Sequence, residues 1–193
     1  YLAGLEDLAF NALKKKGTDF TKYKGPKGLE NFENDCIAKG KDMRPQDVIE
    51  WWRLGRAKVV ETLADSTPGR KIFWWNNQID YLTFSSFKLS ETWSHGLDIY
   101  SGMKKDYEDT VRIEHIALYG WLNAESVSKQ NNVKFNELRI ELIGPEYKAW
   151  QFGNEKSENI IKGNASDWCR VITGRIDRGF KPTLTAEGDF AKK

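Results

Sequence analysis

Two cysteines and two histidines in 193 residues leave little material for several kinds of chemistry. Cys36 and Cys169 stand far apart and in no C-x-x-C spacing. That argues against a disulfide framework and a thiolate zinc site, and the reading that follows is a reducing cytoplasm. No apolar run approaches the roughly 20 residues that span a bilayer, and no signal-peptide pattern opens the chain, so no membrane partner is expected. Charge of either sign is scarcely in excess: 30 Lys and Arg against 28 Asp and Glu leave +2, which gives no global field for a nucleic acid. Internal repeats and low-complexity tracts are absent as well.

What is present is a globular balance, with 39% hydrophobic and 30% charged residues, in a chain long enough to bury a real core as one good-sized domain or two small ones. One local basic stretch, KKKGTDFTKYKGPKG from Lys14 to Gly28, interleaves Phe20 and Tyr23 with its lysines. Its aspartate, glycines and proline make it a solvated loop between helices rather than a nucleic-acid contact.

The first two thirds have a helical rhythm. YLAGLEDLAFNALKKKG sets Leu2, Leu5, Leu8, Ala9, Ala12 and Leu13 on one side, with Gly17 as the stop. A short helix is expected over Leu29 to Gly40. Another starts with Pro45 in its first turn, ends before Pro68 and Gly69, and faces inward through Val48, Trp52, Val59 and Leu63. WWNNQ reads as a loop, followed by a long helix from about Asp80 to Tyr100. The next helix runs through DYEDTVRIEHIALYGWLNAESVSK, with Asp106 and Asp109 as its starting pair. The chain opens on Tyr1, not Met, already inside a helical pattern, so the natural N-terminus is expected further upstream.

Near QNNVKF the period changes. ELRIEL alternates Leu138, Ile140 and Leu142 against Arg139 and Glu141, as a half-buried strand does. Gly144 and Pro145 turn the chain toward a partner strand, KAWQFG, and NIIKG is a third. Asn164 caps a short helix, ASDWCRVIT, which Gly174 ends. The expected fold is mainly α with a C-terminal α+β unit: a helical bundle over residues 1–130 and a small sheet-plus-helix domain over 131–193.

Within the long helix, KLSETWSHGLDIY carries the most chemistry. At about 100° per residue, Phe84, Phe87, Glu91, His95 and Asp98 share one stripe, and the aromatics turn that stripe inward. A carboxylate and an imidazole held in a core need partners, because unpaired polar groups there cost several kcal/mol. A divalent metal between bundle helices would supply them, and so would a plain hydrogen-bonded Glu and His pair. Spacing leaves both readings open, since a catalytic zinc takes three protein ligands and E-x-x-x-H supplies two. His115 shares a helix face with Val111, Leu118, Tyr119 and Leu122, which also turns it inward. It is a third ligand, a donor to a bound molecule, or a core histidine bonded to a carbonyl.

KLSETWSHGLDI closely resembles the E-x-x-x-H-G-x-D segment of the DinB-like metalloprotein superfamily, in the branch around mycothiol-dependent maleylpyruvate isomerase. IEWWRLGRAKVVETL, RIEHIALYGW and DWCRVITGR follow in the order and approximate spacing of an actinobacterial-type subgroup, so the resemblance covers most of the chain. It implies a four-helix bundle with a small C-terminal α+β domain. It also implies a metal, usually zinc, held by a histidine of an earlier helix together with Glu91 and His95. No histidine precedes His95, and the resemblance sets the missing ligand at or before Tyr1, with the first part of the bundle lying upstream.

In such relatives the metal binds a low-molecular-weight thiol and lowers its pKa, and the thiolate attacks an electrophilic carbon of a small-molecule substrate. Addition to a conjugated double bond followed by elimination isomerises the substrate; displacement of a leaving group transfers the thiol. On this reading Asp98 supports the metal ligands from behind. Arg53, Arg56 and His115 are candidates for binding carboxylates of thiol or substrate, with surface salt bridges as the alternative for the arginines. The competing class is a helical bundle with a degenerate metal position, acting as a small-molecule binder or a homodimer-forming scaffold.

Overall fold

A computed structural model describes residues 1–14, 20–23, 25–67, 69–75, 77–176 and 180–192. The architecture is mainly α with a small sheet near the C-terminus. By packing, the chain divides into two compact units, residues 1–85 and 86–193.

The first unit contains α1 (Leu2–Leu13), a 3-10 turn over Phe20–Tyr23, α2 (Gly28–Gly40) and α3 (Pro45–Ala64), with Pro45 in the first turn of α3. Leu5, Ala9 and Leu13 are buried at helical spacing on α1, as the periodicity requires. The α1 and α3 backbones approach closely at Gly55, where a Cβ would stand 2.8 Å from Glu6 Cβ. Asp7 draws three helices together, because its Oδ2 accepts from Trp51 Nε1 at 2.8 Å and from Lys39 Nζ at 3.1 Å. The expected stop at Gly17 lies outside the described residues, and α1 ends at Leu13.

The segment read as a WWNNQ loop is instead part of a β-hairpin. Strands β1 (Lys71–Trp74) and β2 (Asn77–Asp80) pair antiparallel, and Trp74 and Asn77 form the rung next to the turn. Ile72 and Trp74 point to the core, alternating with exposed Lys71 and Phe73, a pattern too short to stand out from its neighbours. Trp74 meets Phe84 edge-to-face at 5.0 Å, and Trp75 meets Phe32 at 5.9 Å, so these tryptophans belong to an aromatic core.

The division between units falls inside α4 (Tyr81–Gly102). The second unit then has α5 (Ile113–Gln130), strands β3 (Leu138–Ile143), β4 (Ala149–Phe152), β5 (Asn159–Asn164) and β6 (Thr185–Glu187), and α6 (Ala165–Ile172). The sheet order is β4-β3-β5-β6; β3 is antiparallel to β4 and parallel to β5, and β5 is antiparallel to β6. Leu138, Ile140 and Leu142 all face the core, as their alternation predicts. They share one hydrophobic cluster with Trp93 and Leu97 of α4, Ile113, Ile116 and Ala117 of α5, and Trp168 and Cys169 of α6. A boundary near residue 130 separates the elements by type, whereas this core joins helices and sheet across it. Asn164 caps α6 by accepting from Ser166 N at 2.8 Å, and Gly174 follows its end with φ +70°.

Helix α5 starts at Ile113, later than the acidic pair suggests. The Asp109 carboxylate accepts Trp93 Nε1 at 2.7 Å and the Ser166 hydroxyl, so it serves tertiary structure and not a helix cap. The inward face of α5 is Ile113, Ile116 and Ala117. His115, expected to point inward, is exposed, and Val111 and Leu122 are exposed with it. The physical reason is the rotation of the helix: three buried residues at i, i+3 and i+4 leave position i+2 on the far side.

Candidate functional site

On the second unit's part of α4, the buried residues are Ser86, Ser90, Trp93, Ser94 and Leu97 on one side, with Lys88 one turn before Glu91. The small serines sit one turn apart, and two of them satisfy themselves locally, Ser90 Oγ donating to Phe87 O at 3.0 Å and Ser94 Oγ to Glu91 O at 3.3 Å. The stripe of Glu91, His95 and Asp98 is therefore not the centre of the buried face but its flank. Glu91 and His95 are half-buried, with side chains 21% and 32% exposed, and Asp98 is 48% exposed.

The three side chains nevertheless form one chain of contacts. Glu91 Oε2 stands 3.8 Å from His95 Nε2, and His95 Nδ1 stands 3.2 Å from Asp98 Oδ2. The imidazole thus has a carboxylate on each side, one turn before it and one turn after. Asp98 is in turn gripped by Arg175, whose Nε donates to Oδ1 at 3.2 Å and whose second terminal nitrogen donates to Oδ2 at 2.9 Å. The Arg175 fork, and after it the charge and hydrogen bond of His95, hold the Asp98 carboxyl below the usual carboxylate range. Tyr119 closes this region from α5: burial first, then the Glu91 charge, push its hydroxyl up to about 12. It stays a neutral donor at any physiological pH.

As chemistry, Glu91 and His95 offer one carboxylate oxygen and one imidazole nitrogen pointed at each other. Two donors on one zinc at about 2.1 Å each stand about 3.4 Å apart at a tetrahedral angle, so 3.8 Å lies within a small side-chain rotation of shared coordination. Among the described residues, no group of three or more His, Cys, Asp or Glu is placed to hold a metal. His115 is exposed and is no member of the Glu91 and His95 pair. Arg53 and Arg56 are exposed on α3 in the other compact unit, with the Arg56 guanidinium 5.4 Å from the Trp52 ring centre. Sequence reasoning missed Arg175 and Tyr119. Arg175 closes the DWCRVITGR stretch, but its partner lies 77 residues earlier, and nothing local announces such a pair.

No family model matches the chain, and no solved structure matches it. Two curated proteins of Mycobacterium tuberculosis are similar to it, Uncharacterized protein MT0041 of strain CDC 1551 / Oshkosh and Uncharacterized protein Rv0036c of strain H37Rv. Each is 27% identical over 146 residues, covering 75% of this chain and 57% of the relative. The chain thus spans little more than half the length of the curated relatives it matches.

Proposed function

We propose that Glu91 and His95 are two ligands of a divalent metal, zinc in the first instance, in a cytoplasmic thiol-dependent transferase or isomerase with a DinB-like four-helix bundle. The observation that carries this reading is the orientation of one imidazole. His95 presents Nε2 to Glu91 Oε2 at 3.8 Å while Asp98 stands 3.2 Å from Nδ1, the carboxylate-behind-histidine arrangement that orients metal-bound imidazoles. The third ligand, on this reading, is the upstream histidine that the resemblance implies. When bound, the metal lowers the pKa of a low-molecular-weight thiol so that it attacks an electrophilic small molecule. The chain's own residues hold the ligand atoms in place, and the neutral Tyr119 hydroxyl lies near enough to Glu91 to feel its charge.

A second reading draws on the lack of a third donor among the described residues: a non-catalytic bundle that binds small molecules, its metal position degenerate. Zinc titration by calorimetry separates the two. The metal reading expects one zinc per chain, with affinity lost by about 10-fold or more in both Glu91→Ala and His95→Ala. It also expects thiol-dependent turnover of an electrophile to fall in the same variants. A protein that binds no stoichiometric zinc, nickel, cobalt or manganese, or whose metal content ignores both substitutions, leaves the binder.

A further inference from the structure

We propose that Arg175 is a positioning residue for His95, acting through Asp98 to keep the imidazole proton on Nδ1 and the lone pair on Nε2, facing Glu91. Its purpose rests on the metal-site reading; its geometry does not.

Arg175 is itself held by the way α6 ends. Gly174 takes φ +70°, a conformation that reverses the chain after a helix, and Arg175 N donates back to Arg170 O at 2.9 Å. The side chain is then fixed at both edges of its fork. Its NH1 donates to Thr173 O at 2.6 Å, while Nε and NH2 take the two oxygens of Asp98 at 3.2 and 2.9 Å. Asp98 is half exposed and would otherwise turn freely into water. Bound on both oxygens, it is fixed, and its Oδ2 is the oxygen that faces His95 Nδ1 at 3.2 Å.

The consequence follows from donor and acceptor chemistry. An ionised carboxylate only accepts, so each one draws the proton to the ring nitrogen it faces, and Asp98 at 3.2 Å from Nδ1 is within hydrogen-bond reach while Glu91 at 3.8 Å from Nε2 is not. In a neutral imidazole the other nitrogen is then the one with a free electron pair, which is the form that ligates a metal. Free imidazole side chains favour the opposite tautomer. Asp98 therefore works against the intrinsic preference, and Arg175 keeps it in place to do so. No oxidant, cofactor or proton transfer is needed; this is a standing bias in the resting protein.

The protein has two histidines, so selective 15N labelling gives two resolvable imidazoles. A long-range 1H–15N correlation spectrum, recorded where both are neutral, should show His95 with its proton on Nδ1. Exposed His115 should show the solution mixture dominated by the Nε2–H form. Arg175→Gln should move His95 to that same mixture without altering His115, Arg175→Lys should move it part of the way, and Asp98→Asn should match Arg175→Gln. The double variant should add nothing to either single change. A native His95 protonated on Nε2, or a His95 unchanged by Arg175→Gln, overturns the proposal. Should Arg175→Gln fail to fold, Asp98→Asn and Arg175→Lys decide in its place. A zinc arm distinguishes this from the metal reading: Arg175→Gln should weaken zinc binding by about 10- to 100-fold. The predicted tautomers in a protein that binds no metal leave the positioning role standing and remove the metal reading. Zinc binding with a His95 indifferent to Arg175 does the reverse.

Discussion

Trp93 Nε1 donates to Asp109 Oδ1 at 2.7 Å, which latches the segment before α5 to the buried side of α4. The same carboxylate accepts the Ser166 hydroxyl at the start of α6, so one side chain ties α4 and α6 to the segment that leads into α5. Asp109→Ala leaves the largely buried indole N–H without its acceptor and frees the start of α6. Hydrogen bonds to a charged group contribute about 1.5–3 kcal/mol each, and an orphaned donor costs a similar amount. Asp109→Ala should lose about 3 kcal/mol in urea denaturation, and Ser166→Ala about 1 kcal/mol, since the latter leaves the Trp93 bond intact. A loss below 1 kcal/mol for Asp109→Ala would show that water replaces the carboxylate.

Asp80 stands at the other end of α4 and caps it. Its two oxygens accept Thr83 N at 2.9 Å and Thr83 Oγ1 at 2.9 Å, and these bonds, the backbone one foremost, lower its pKa. Asp80→Ala should cost about 1 kcal/mol at neutral pH, the usual loss for such a cap. The sign of the pH dependence follows from the lowered pKa: the ionised form is favoured in the fold, so its contribution is complete above about pH 4–5 and is lost as pH falls through the folded value. The stability gap between the native protein and Asp80→Ala, followed by urea titration from pH 7 to pH 2.5, should narrow at the acid end. It should not vanish, because a protonated carboxyl still accepts from Thr83 N.

Local patterns made much of this fold legible. Leu138, Ile140 and Leu142 alternate because β3 has one face on the core, and Asn164 and Gly174 bracket α6 by backbone chemistry that reads directly from residue type. Glu91 and His95 were visible as a pair because helical spacing puts i and i+4 side by side. What stayed hidden depends on residues far apart in the chain. The four-residue strands around Trp74 and Asn77 carry too few alternations to compete with the helices beside them, and β6 has three residues. Asp109 has the sequence context of a helix cap, yet Trp93 and Ser166, 16 positions before it and 57 after, claim its carboxylate. The inward facing of His115 failed for a different reason: Val111 and Leu122 are apolar but exposed, so they pointed to the wrong side of α5.

Both cysteines are buried, Cys36 at 6% and Cys169 at 0% exposure. Burial raises both thiols above the ordinary range, and Cys169 Sγ also lies 3.6 Å from Ile113 O, to which it donates. Thiolates are the reactive form, so each should react with a disulfide reagent only when the fold opens. At pH 8 the native protein should be modified at least about 100-fold more slowly than the urea-unfolded chain, at both positions, as peptide mapping after timed quenching would show. A cysteine that reacts quickly in the native state would reveal local opening of the helix that carries it.

Gly153 follows β4 and takes φ +94°, where a side chain is strained whatever the space around it. Space is also lacking: a Cβ there would stand 2.3 Å from Leu138 O and 3.1 Å from Trp121 Nε1. Those two groups are bonded to each other at 2.9 Å, joining the side chain of α5 to the first residue of β3. The clash is with backbone, which cannot swing aside as a side-chain tip does. Gly153→Ala should therefore pay the strain, about 1–3 kcal/mol, and lose the indole bond, about 1 kcal/mol more. Urea denaturation should report a total near 2–4 kcal/mol, and Trp121 emission should shift as its N–H turns to water. Gly102 supplies the contrast, since a Cβ at the last residue of α4 would meet nothing within 4 Å. Gly102→Ala should be neutral or stabilise by up to about 1 kcal/mol. If the two substitutions cost the same, the loss at Gly153 would come from the flexibility that glycine gives the chain and not from the approach of β3 to α5.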